Sequence, residues 1–492
     1  MRIGIDVGGT HTDAVLMDGD RLIAATKQLT TQDVTSGITA ALDEVLSQAG
    51  LEAHKVQAVM IGTTQFTNAI TERRHLTPVG AIRIGLPSGR GLPPMVDWPQ
   101  DIRDSLDCTP YLLTGGYLYD GWPLAELSDA EIEPVIASLV SKGLKSIAIS
   151  SVFSPMNPEP EMRLARAIKK AIPDAKVTLS HNIGRLGLME RENAAILNAA
   201  LCPLADDIVD AFIRATQQRG LNVPIYINQN DGTLMSTDFV RAYPALTFAS
   251  GPTNSLRGAS RLTGLSDAIV VDIGGTTSDI GVLKSGFPRE SQNVIEIGGV
   301  RTNFRMPDIL ALGLGGGSLV SEDGKHIGPK SIGHNLVHQG RAFGGDTLTA
   351  TDIIVAMGKA KIGDKSKVRD IPPHVIANAR AEIHALLDRH IDMMKPGGKT
   401  MPVILVGGGH ILVTDELAAA SKIYRPEHAG VANAIGAAIA QIGAEAERLV
   451  SFRETPREEA LETLIREAAR RAEAAGAEPS TIRIVDMDET AI

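Results

Sequence analysis

Two clusters of acid, glycine and hydroxyl residues carry most of the chemistry this sequence offers. Ile269 to Leu283 reads IVVDIGGTTSDIGVL, an apolar run ending in Asp272, then Gly274 and Gly275, then Thr276, Thr277 and Ser278 before the apolar pattern resumes. The β-branched run suits a buried strand, and the paired glycines allow a tight reversal with positive φ. Backbone N–H groups and three hydroxyls at such a turn make a concave donor cluster suited to phosphate oxygens. A carboxylate at the strand end can hold magnesium, directly or through water. A glycine turn between strands needs no ligand, so one copy decides little. The chain holds a second copy. Ile3 to Leu16 reads IGIDVGGTHTDAVL, and Asp6, Gly8, Thr10 and Asp13 match Asp272, Gly274, Thr276 and Asp279 at one constant offset. Two like units far apart imply two related half-domains facing each other, with a nucleoside triphosphate between them and both turns on its phosphates.

The elements that must position these turns alternate between helix and strand. Thr35 to Gly50 has a helical apolar face, and Val56 to Ile61 reads as a strand entering Gly62-Thr63-Thr64, where hydroxyls can contact a ligand or cap a helix. Gly85 to Pro123 lacks periodicity and reads as an irregular loop region or a small insertion. Ser128 to Lys142 is an amphipathic helix, Ser146 to Val152 a strand, and a helix starts near Pro158; this alternation indicates α/β architecture. Arg185 to Ala200 reads as a long helix, interrupted near Pro203 and resuming to Arg219, that connects the halves. The strand Pro224 to Asn228 opens into a turn where Asp231 either serves the turn or aims a carboxylate at substrate. Ala249 to Asn254 is a polar loop before a helix at Ser255 to Leu262. Gly315, Gly316 and Gly317 lie in a flexible stretch able to bring backbone amides against a ligand. Val403 to Val406 runs into Gly407, Gly408 and Gly409, which let a nucleoside lie flat on backbone. His326, His334 and His338 lack metal-ligand spacing. Near the end, Thr455 to Gly476 is a helix with a capping sequence, and Thr481 to Met487 a last strand.

Bulk properties narrow the field. At 492 residues, 43% apolar and 22% charged, the chain suits two or three soluble domains. A net charge of −10 gives no footprint for nucleic acid or an anionic membrane, and 3% aromatics offer no base-stacking platform. Cys108 and Cys202 read as packing residues in a reducing compartment. The first strand begins at Arg2, leaving no room for a leader, so a cytoplasmic location is expected. Ala429 to Ala444 is an internal helix too short and polar for a membrane span.

Taken in order, IDVGGTHTD, IGTTQFTNAI, SGPTNSLRGA, DIGGTTSDIGVL, LGLGGGSLV, GPKSIG, TATD, VGGGH and RAEAAGAEPSTIRIVD resemble the hydantoinase/oxoprolinase family, specifically its ATP-binding A subunit, a branch of the actin-like ATPase superfamily. The resemblance implies an α/β fold of duplicated ribonuclease-H-like domains with an interdomain nucleotide cleft. It implies an N-terminal domain over 1–185, a second with an insertion over 186–445, and a C-terminal helix and strand over 446–492. The implied cofactors are ATP and Mg2+. Gly8, Gly9, Thr10 and Thr12 would form the first phosphate loop and Gly274, Gly275, Thr276, Thr277 and Ser278 the second. Asp6 and Asp272 would hold the magnesium, with Asp13 and Asp279 either joining them or bracing the hairpins. Gly407 to Gly409 would take the adenosine, Gly315 to Gly317 close by. The implied activity is ATP-dependent hydrolytic opening of a cyclic amide, a hydantoin, 5-oxoproline or related lactam, through phosphorylation of the amide oxygen. The implied partners are that small substrate and a second hydantoinase-type subunit in a homo- or hetero-oligomer. The sequence departs from the family pattern at His11, where an aromatic is common, in lacking a Pro-Gly-Pro run after GPKSIG, and in ending just beyond Asp488. Two alternatives stand beside this reading: a small-molecule kinase of the sugar-kinase type with Asp231 as base, and a non-metabolic ATPase acting on a protein partner.

Overall fold

The computed structural model describes every residue except 10, 30–33, 51–54, 292, 449, 451, 453–454 and 491–492. β1 (Arg2–Val7), β2 (His11–Asp18) and β3 (Arg21–Leu29) form an antiparallel meander. Beyond Arg2, β1 is buried on both faces, which is why it reads as a continuous apolar run. Helix α1 (Val34–Ala49) crosses to β4 (Ala58–Thr63), parallel to β1, and the short α2 (Gln65–Thr71) follows at once. The chain then leaves this sheet to build another: β5 (Val79–Leu86), α3 (Gln100–Leu106), β6 (Thr109–Thr114), α4 (Asp129–Ser141), β7 (Ser146–Ser151), α5 (Glu159–Ala171) and β8 (Lys176–Leu179). These four strands are all parallel, in the order β6-β5-β7-β8, over a core of their own that includes Ile82, Ile84, Leu139, Ile147 and Leu164. The long α6 (Leu188–Gln217) brings the chain back, and β9 (Ile225–Asn228) and β10 (Leu234–Ser236) complete the first sheet as β10-β9-β4-β1-β2-β3.

Helices α7 (Thr237–Ala242) and α8 (Ser250–Thr263) lead to a second hairpin, β11 (Ala268–Ile273) and β12 (Ser278–Lys284). β12 pairs with β13 (Phe287–Pro288) and, past the β14 (Ile295–Ile297) and β15 (Val300–Thr302) hairpin, with β16 (Ile309–Leu312). A further hairpin of β17 (Ser318–Val320) and β18 (Ile327–Ser331) is followed by α9 (Leu336–Gln339), α10 (Ala350–Ala356) and α11 (Pro373–Met394). β19 (Met401–Val406) then runs parallel to β11, and β20 (Ala420–Tyr424) parallel to β19. Helices α12 (Ala432–Ile439) and α13 (Arg457–Ala474) follow.

Both main sheets share one plan. Three antiparallel strands are extended by a fourth and fifth that run parallel to the first, as β3-β2-β1-β4-β9 and as β13-β12-β11-β19-β20. This is the ribonuclease-H-like arrangement, present twice. The halves meet where α8 crosses α12, and glycine makes the crossing possible. A Cβ on Gly258 would fall 1.8 Å from the Ala432 carbonyl oxygen, and one on Gly436 would fall 1.9 Å from that of Asn254.

Several sequence expectations change here. Residues 85–123 are ordered into the end of β5, α3 and β6; α3 escapes a periodicity search because only Ile102 and Leu106 are buried on it. α6 runs unbroken through Pro203. Interior proline costs a helix about 3 kcal/mol, but residues 191–202 are buried on every side and packing holds the helix together. The expected division at 185/186 does not separate the sheets, since β9 and β10, from 225–236, belong to the first one. No strand forms over Thr481–Met487; Ile484, Val485 and Met487 are exposed and no sheet edge meets them. The expected polar loop at 249–254 is instead the first turn of α8, with Pro252 where a helix tolerates it.

Candidate functional site

In each hairpin a carboxylate ends the first strand and faces a second carboxylate across the ladder: Asp6 opposite Asp13, and Asp272 opposite Asp279. The turns close alike, Gly8 N–H donating to His11 O at 3.0 Å and Gly274 N–H to Thr277 O at 2.9 Å. Thr10, in the first turn, lies outside the described residues. None of Gly8, Gly9, Gly274 and Gly275 adopts positive φ, so glycine serves here to clear space rather than to allow a left-handed backbone. Nothing lies within 4 Å of where a Cβ on Gly275 would sit. Thr276 and Thr277 are exposed beside it.

Thr12 and Ser278 occupy equivalent positions, and both are fully buried. Ser278 Oγ donates to Leu314 O at 2.6 Å, so it braces the strand from within the core. The three glycines expected to form a flexible stretch are buried against the second turn: Gly316 N–H donates to Gly274 O at 3.0 Å and Gly317 N–H to Gly275 O at 2.7 Å. A Cβ on Gly315 would fall 2.6 Å from Thr276 N. From the other side, Gly409 N–H donates to Ile273 O at 2.7 Å, and a Cβ on Gly407 would meet Asp272 Oδ1 at 2.2 Å. Gly408 lies near the Lys27 side chain, which comes from the first half. Backbone packed on backbone thus fixes the turn.

The two strand-end carboxylates lie near enough for the charge on Asp272 to act on Asp6. Asp6 is 5% exposed; burial, with the charges of Asp13 and Asp272 added, pushes its pKa up to about 7, against the opposing pull of Lys27 and a hydrogen bond from Asn433. Asn433 Nδ2, on α12, donates to Asp6 Oδ2 at 2.8 Å, whereas Asp6 Oδ1 is buried without a hydrogen-bond partner among the described residues. Asp272 is raised by burial, and Ser255 Oγ on α8 donates to its Oδ2 at 2.5 Å. Asn254, next to Ser255, is also buried with neither side-chain atom partnered among the described residues; its Nδ2 and Asp6 Oδ1 both approach the Cβ position of Gly62, at 2.6 and 2.7 Å.

The outer acids differ between halves. Asp13 is paired with Lys27 Nζ at 2.7 Å, and that ammonium also reaches Gly430 O at 3.2 Å, tying the first half to the second. Asp279 has no cation among the described residues, and burial with the Asp272 charge pushes it up to about 7. Asp231 stands apart: its Oδ1 accepts from Thr233 N and Oγ1 at 2.9 and 2.7 Å, an Asx turn.

Carboxylates from opposite halves, one with an orphaned oxygen, fit a magnesium ion. Such an ion keeps several waters and phosphate ligands and asks the protein for one or two carboxylates. No larger cluster of His, Cys, Asp and Glu occurs among the described residues. Sequence reading missed Lys27, Asn254, Ser255 and Asn433 as site residues. Asn433 carried a signal, a lone amide inside an Ala/Gly-rich helix; Lys27 carried none.

Duplicated ribonuclease-H-like halves with an aspartate turn from each at the cleft place this chain in the actin-like ATPase fold class. The chain belongs to the hydantoinase/oxoprolinase family: residues 2–172 match the hydantoinase/oxoprolinase N-terminal region and residues 191–364 the hydantoinase/oxoprolinase model that follows it. It is 26% identical over 387 residues to caprolactamase subunit alpha of Pseudomonas jessenii, covering 73% of this chain and 54% of that one. It is 25% identical to the acetophenone carboxylase gamma subunit of Aromatoleum aromaticum (72% and 53%) and 22% identical to the acetone carboxylase beta subunit of Xanthobacter autotrophicus (72% and 54%). The chain therefore spans about half the length of these relatives. The crystal structure of the ATP-dependent caprolactamase from Pseudomonas jessenii shares the fold at TM-score 0.77 and 21% identity, covering 97% of this chain and 77% of that one. Nucleotide-free acetone carboxylase matches at TM-score 0.67 and 20% identity, with the same coverage. No helix among the described residues is long and apolar enough to cross a membrane.

Proposed function

We propose that this chain binds ATP with magnesium between its halves and uses the γ-phosphoryl group to activate the carbonyl oxygen of a cyclic amide for hydrolytic ring opening. The observation that carries the reading is the meeting of Asp6 and Asp272 from opposite halves in a family whose relatives include an ATP-dependent caprolactamase. Asp6 and Asp272 would hold the magnesium, which when bound offsets negative charge on the phosphoryl oxygens. Backbone N–H groups at Gly9 and Gly275 and the hydroxyls of Thr276 and Thr277 would bind and orient the phosphates. Gly407 to Gly409 would border the nucleoside. Ser278 and Gly315 to Gly317 support the second turn from behind, and Thr12 is buried at the position equivalent to Ser278.

An amide is a poor electrophile because resonance stabilises it and its nitrogen leaves badly. Transfer of the phosphoryl group to the carbonyl oxygen releases ADP and leaves an imidate phosphate. Water adds at the carbon, the C–N bond breaks with the nitrogen taking a proton, and the resulting acyl phosphate is cleaved by a second water to carboxylate and phosphate. The relatives named as alpha, beta and gamma subunits support the further reading that a second subunit completes hydrolysis. The kinase alternative needs a free carboxylate base, and Asp231 is instead engaged in its own turn.

The deciding experiment measures ADP, phosphate and ring-opened product from hydantoin, 5-oxoproline and ε-caprolactam, with and without a co-purified second subunit. One ADP and one phosphate per ring opened supports the proposal. A stable phosphorylated alcohol, or ATP turnover indifferent to every lactam and stimulated only by a protein, overturns it.

A further inference from the structure

The four-stranded sheet of β5 to β8 carries a surface that the nucleotide cleft does not use. β6 leads into a tight hairpin at residues 117–123, closed by an antiparallel bridge between Tyr117 and Pro123. Leu118 N–H donates to Trp122 O at 2.8 Å and Gly121 N–H to Leu118 O at 3.1 Å. Tyr117 N–H ties the hairpin to Val152 O, just beyond β7, at 3.1 Å. The tip is thus fixed, yet it is apolar and stands in water. Trp122 is 70% exposed, and Leu118 and Tyr119 are exposed beside it. The other tryptophan, Trp98, is 5% exposed and donates its Nε1–H to Asn193 Oδ1 at 2.7 Å. Aromatic side chains held on a rigid backbone lose little freedom on docking and tend to dominate protein contacts. Leu92 and Val96, in the loop leaving the neighbouring parallel strand β5 at the same end, are exposed as well.

The surroundings of the hairpin are acidic. Residues 115–141 hold five acidic side chains and no lysine or arginine. Asp129 is paired with Arg163, whereas Asp120, Glu126 and Glu133 are exposed with no cation among the described residues. Such a surface repels an anionic membrane or a nucleic acid and suits a basic protein face. The same chain carries one. Residues 359–369, which follow α10, hold four lysines and an arginine against a single acid, Asp364. All five bases are exposed, and none forms an ion pair among the described residues; the neighbouring pair is Arg341 with Asp370. Ile362, in their midst, is exposed. Each patch therefore has an apolar centre among charges of one sign, and the signs are opposite.

We infer that two copies of this chain associate, the hairpin at residues 117–123 of one docking on the basic strip at residues 359–369 of the other. A two-fold axis lets each copy give both patches, so that the contact is made twice. Trp122 and Tyr119 pack on Ile362 and on the lysine stems, where an ammonium over an aromatic face adds a cation–π attraction. Glu126 and Glu133 face the lysines. No residue of either phosphate turn takes part, so the association is independent of the function proposed above.

The test follows the full chain by light scattering and sedimentation as its concentration rises. Dimers are expected, with Kd rising about tenfold or more between roughly 50 and 500 mM NaCl as the charges are screened. Trp122 emission should shift to the blue on association, since Trp98 is already buried. Trp122→Ala changes an exposed side chain; it should weaken the dimer about tenfold or more and leave Mg-ATP affinity unchanged. Charge reversal gives the sharper arm. A chain with Glu126→Lys and Glu133→Lys should be monomeric alone, as should one with Lys359→Glu and Lys361→Glu, because like charges then meet. An equimolar mixture of the two should dimerise, because both contacts regain opposite charges. A chain still monomeric at about 100 μM, where contacts of even modest affinity form, overturns the inference. So does a dimer indifferent to Trp122→Ala, or a mixture of the charge-reversed chains that stays monomeric. Burial of Trp122 only on adding a different protein overturns it too, by assigning the surface to another partner.

Discussion

Replacing Asp6 with asparagine should make the metal-free protein more stable while removing its use of ATP. Folding moves the Asp6 carboxyl from 3.8 to about 7. At about 1.4 kcal/mol per pH unit, that opposes folding by roughly 4 kcal/mol once the group is ionised in both states. The sign follows from proton binding. Between 3.8 and 7 the unfolded chain has released this proton and the folded chain still holds it, so stability falls as pH rises through that window. Below 3.8 both states are protonated and the opposition vanishes. Asparagine is uncharged throughout, and its carbonyl can still accept the hydrogen bond from Asn433. In urea with EDTA, the variant should match wild type near pH 4 and exceed it by about 2–4 kcal/mol at pH 8. Asp279 titrates over the same window in both proteins, so the difference isolates position 6. Adding Mg-ATP should stabilise wild type and leave the variant unmoved. An Asp6→Asn protein no more stable than wild type at pH 8 would refute the burial and charge argument for this site.

Asp272→Ala removes the carboxylate that Ser255 holds; ATP turnover should fall on the order of a hundredfold or more, with an unchanged circular dichroism spectrum. Gly275→Val places a branched side chain in open space. Turnover should be lost while unfolding free energy stays within about 0.5 kcal/mol of wild type, and active Gly275→Val would remove the second turn from the phosphate site. Gly407→Ala makes the contrasting case: its Cβ would strike Asp272 Oδ1 at φ +79°, so a loss of about 1–3 kcal/mol is expected in denaturant melts. Gly258→Val drives a side chain into the Ala432 carbonyl and should cost more than about 3 kcal/mol, read as a lowered unfolding midpoint.

The hairpins, their spacing and the duplicated fold were legible because a phosphate turn writes itself in consecutive residues. Asp6 to Asp13 and Asp272 to Asp279 each hold acid, glycines and hydroxyls within eight positions. What the sequence hid is contributed across long separations. Asn433 reaches Asp6 from more than four hundred residues away, and Lys27 touches Gly430. The expectation that every hydroxyl of the turn faces ligand failed to allow for strand alternation. Ser278 follows Thr277 in sequence but points into the core, while Thr277 is exposed. Flexibility is what the sequence suggests at Gly315 and Gly317 and a nucleoside bed at Gly409, yet all three serve close backbone approach to the second turn, which no local pattern distinguishes.

The arrangement around the two aspartates ties the site to the joint between halves. Asp6 is held from α12 by Asn433, Asp272 from α8 by Ser255, and Asn254 on α8 stands beside Asp6. Those helices cross at Gly258 and Gly436 with almost no side chain between them. A shift at that crossing therefore moves the groups that orient each carboxylate, and closure on a nucleotide would move the crossing in return. Asp13 takes part in the same coupling, since its partner Lys27 also holds Gly430, two residues before α12 begins. Among the described residues Asp279 has no such tether. The duplicated halves have thus diverged at their outer acids, with the first half anchored across the joint by Lys27 and the second holding, among the described residues, no cation at Asp279.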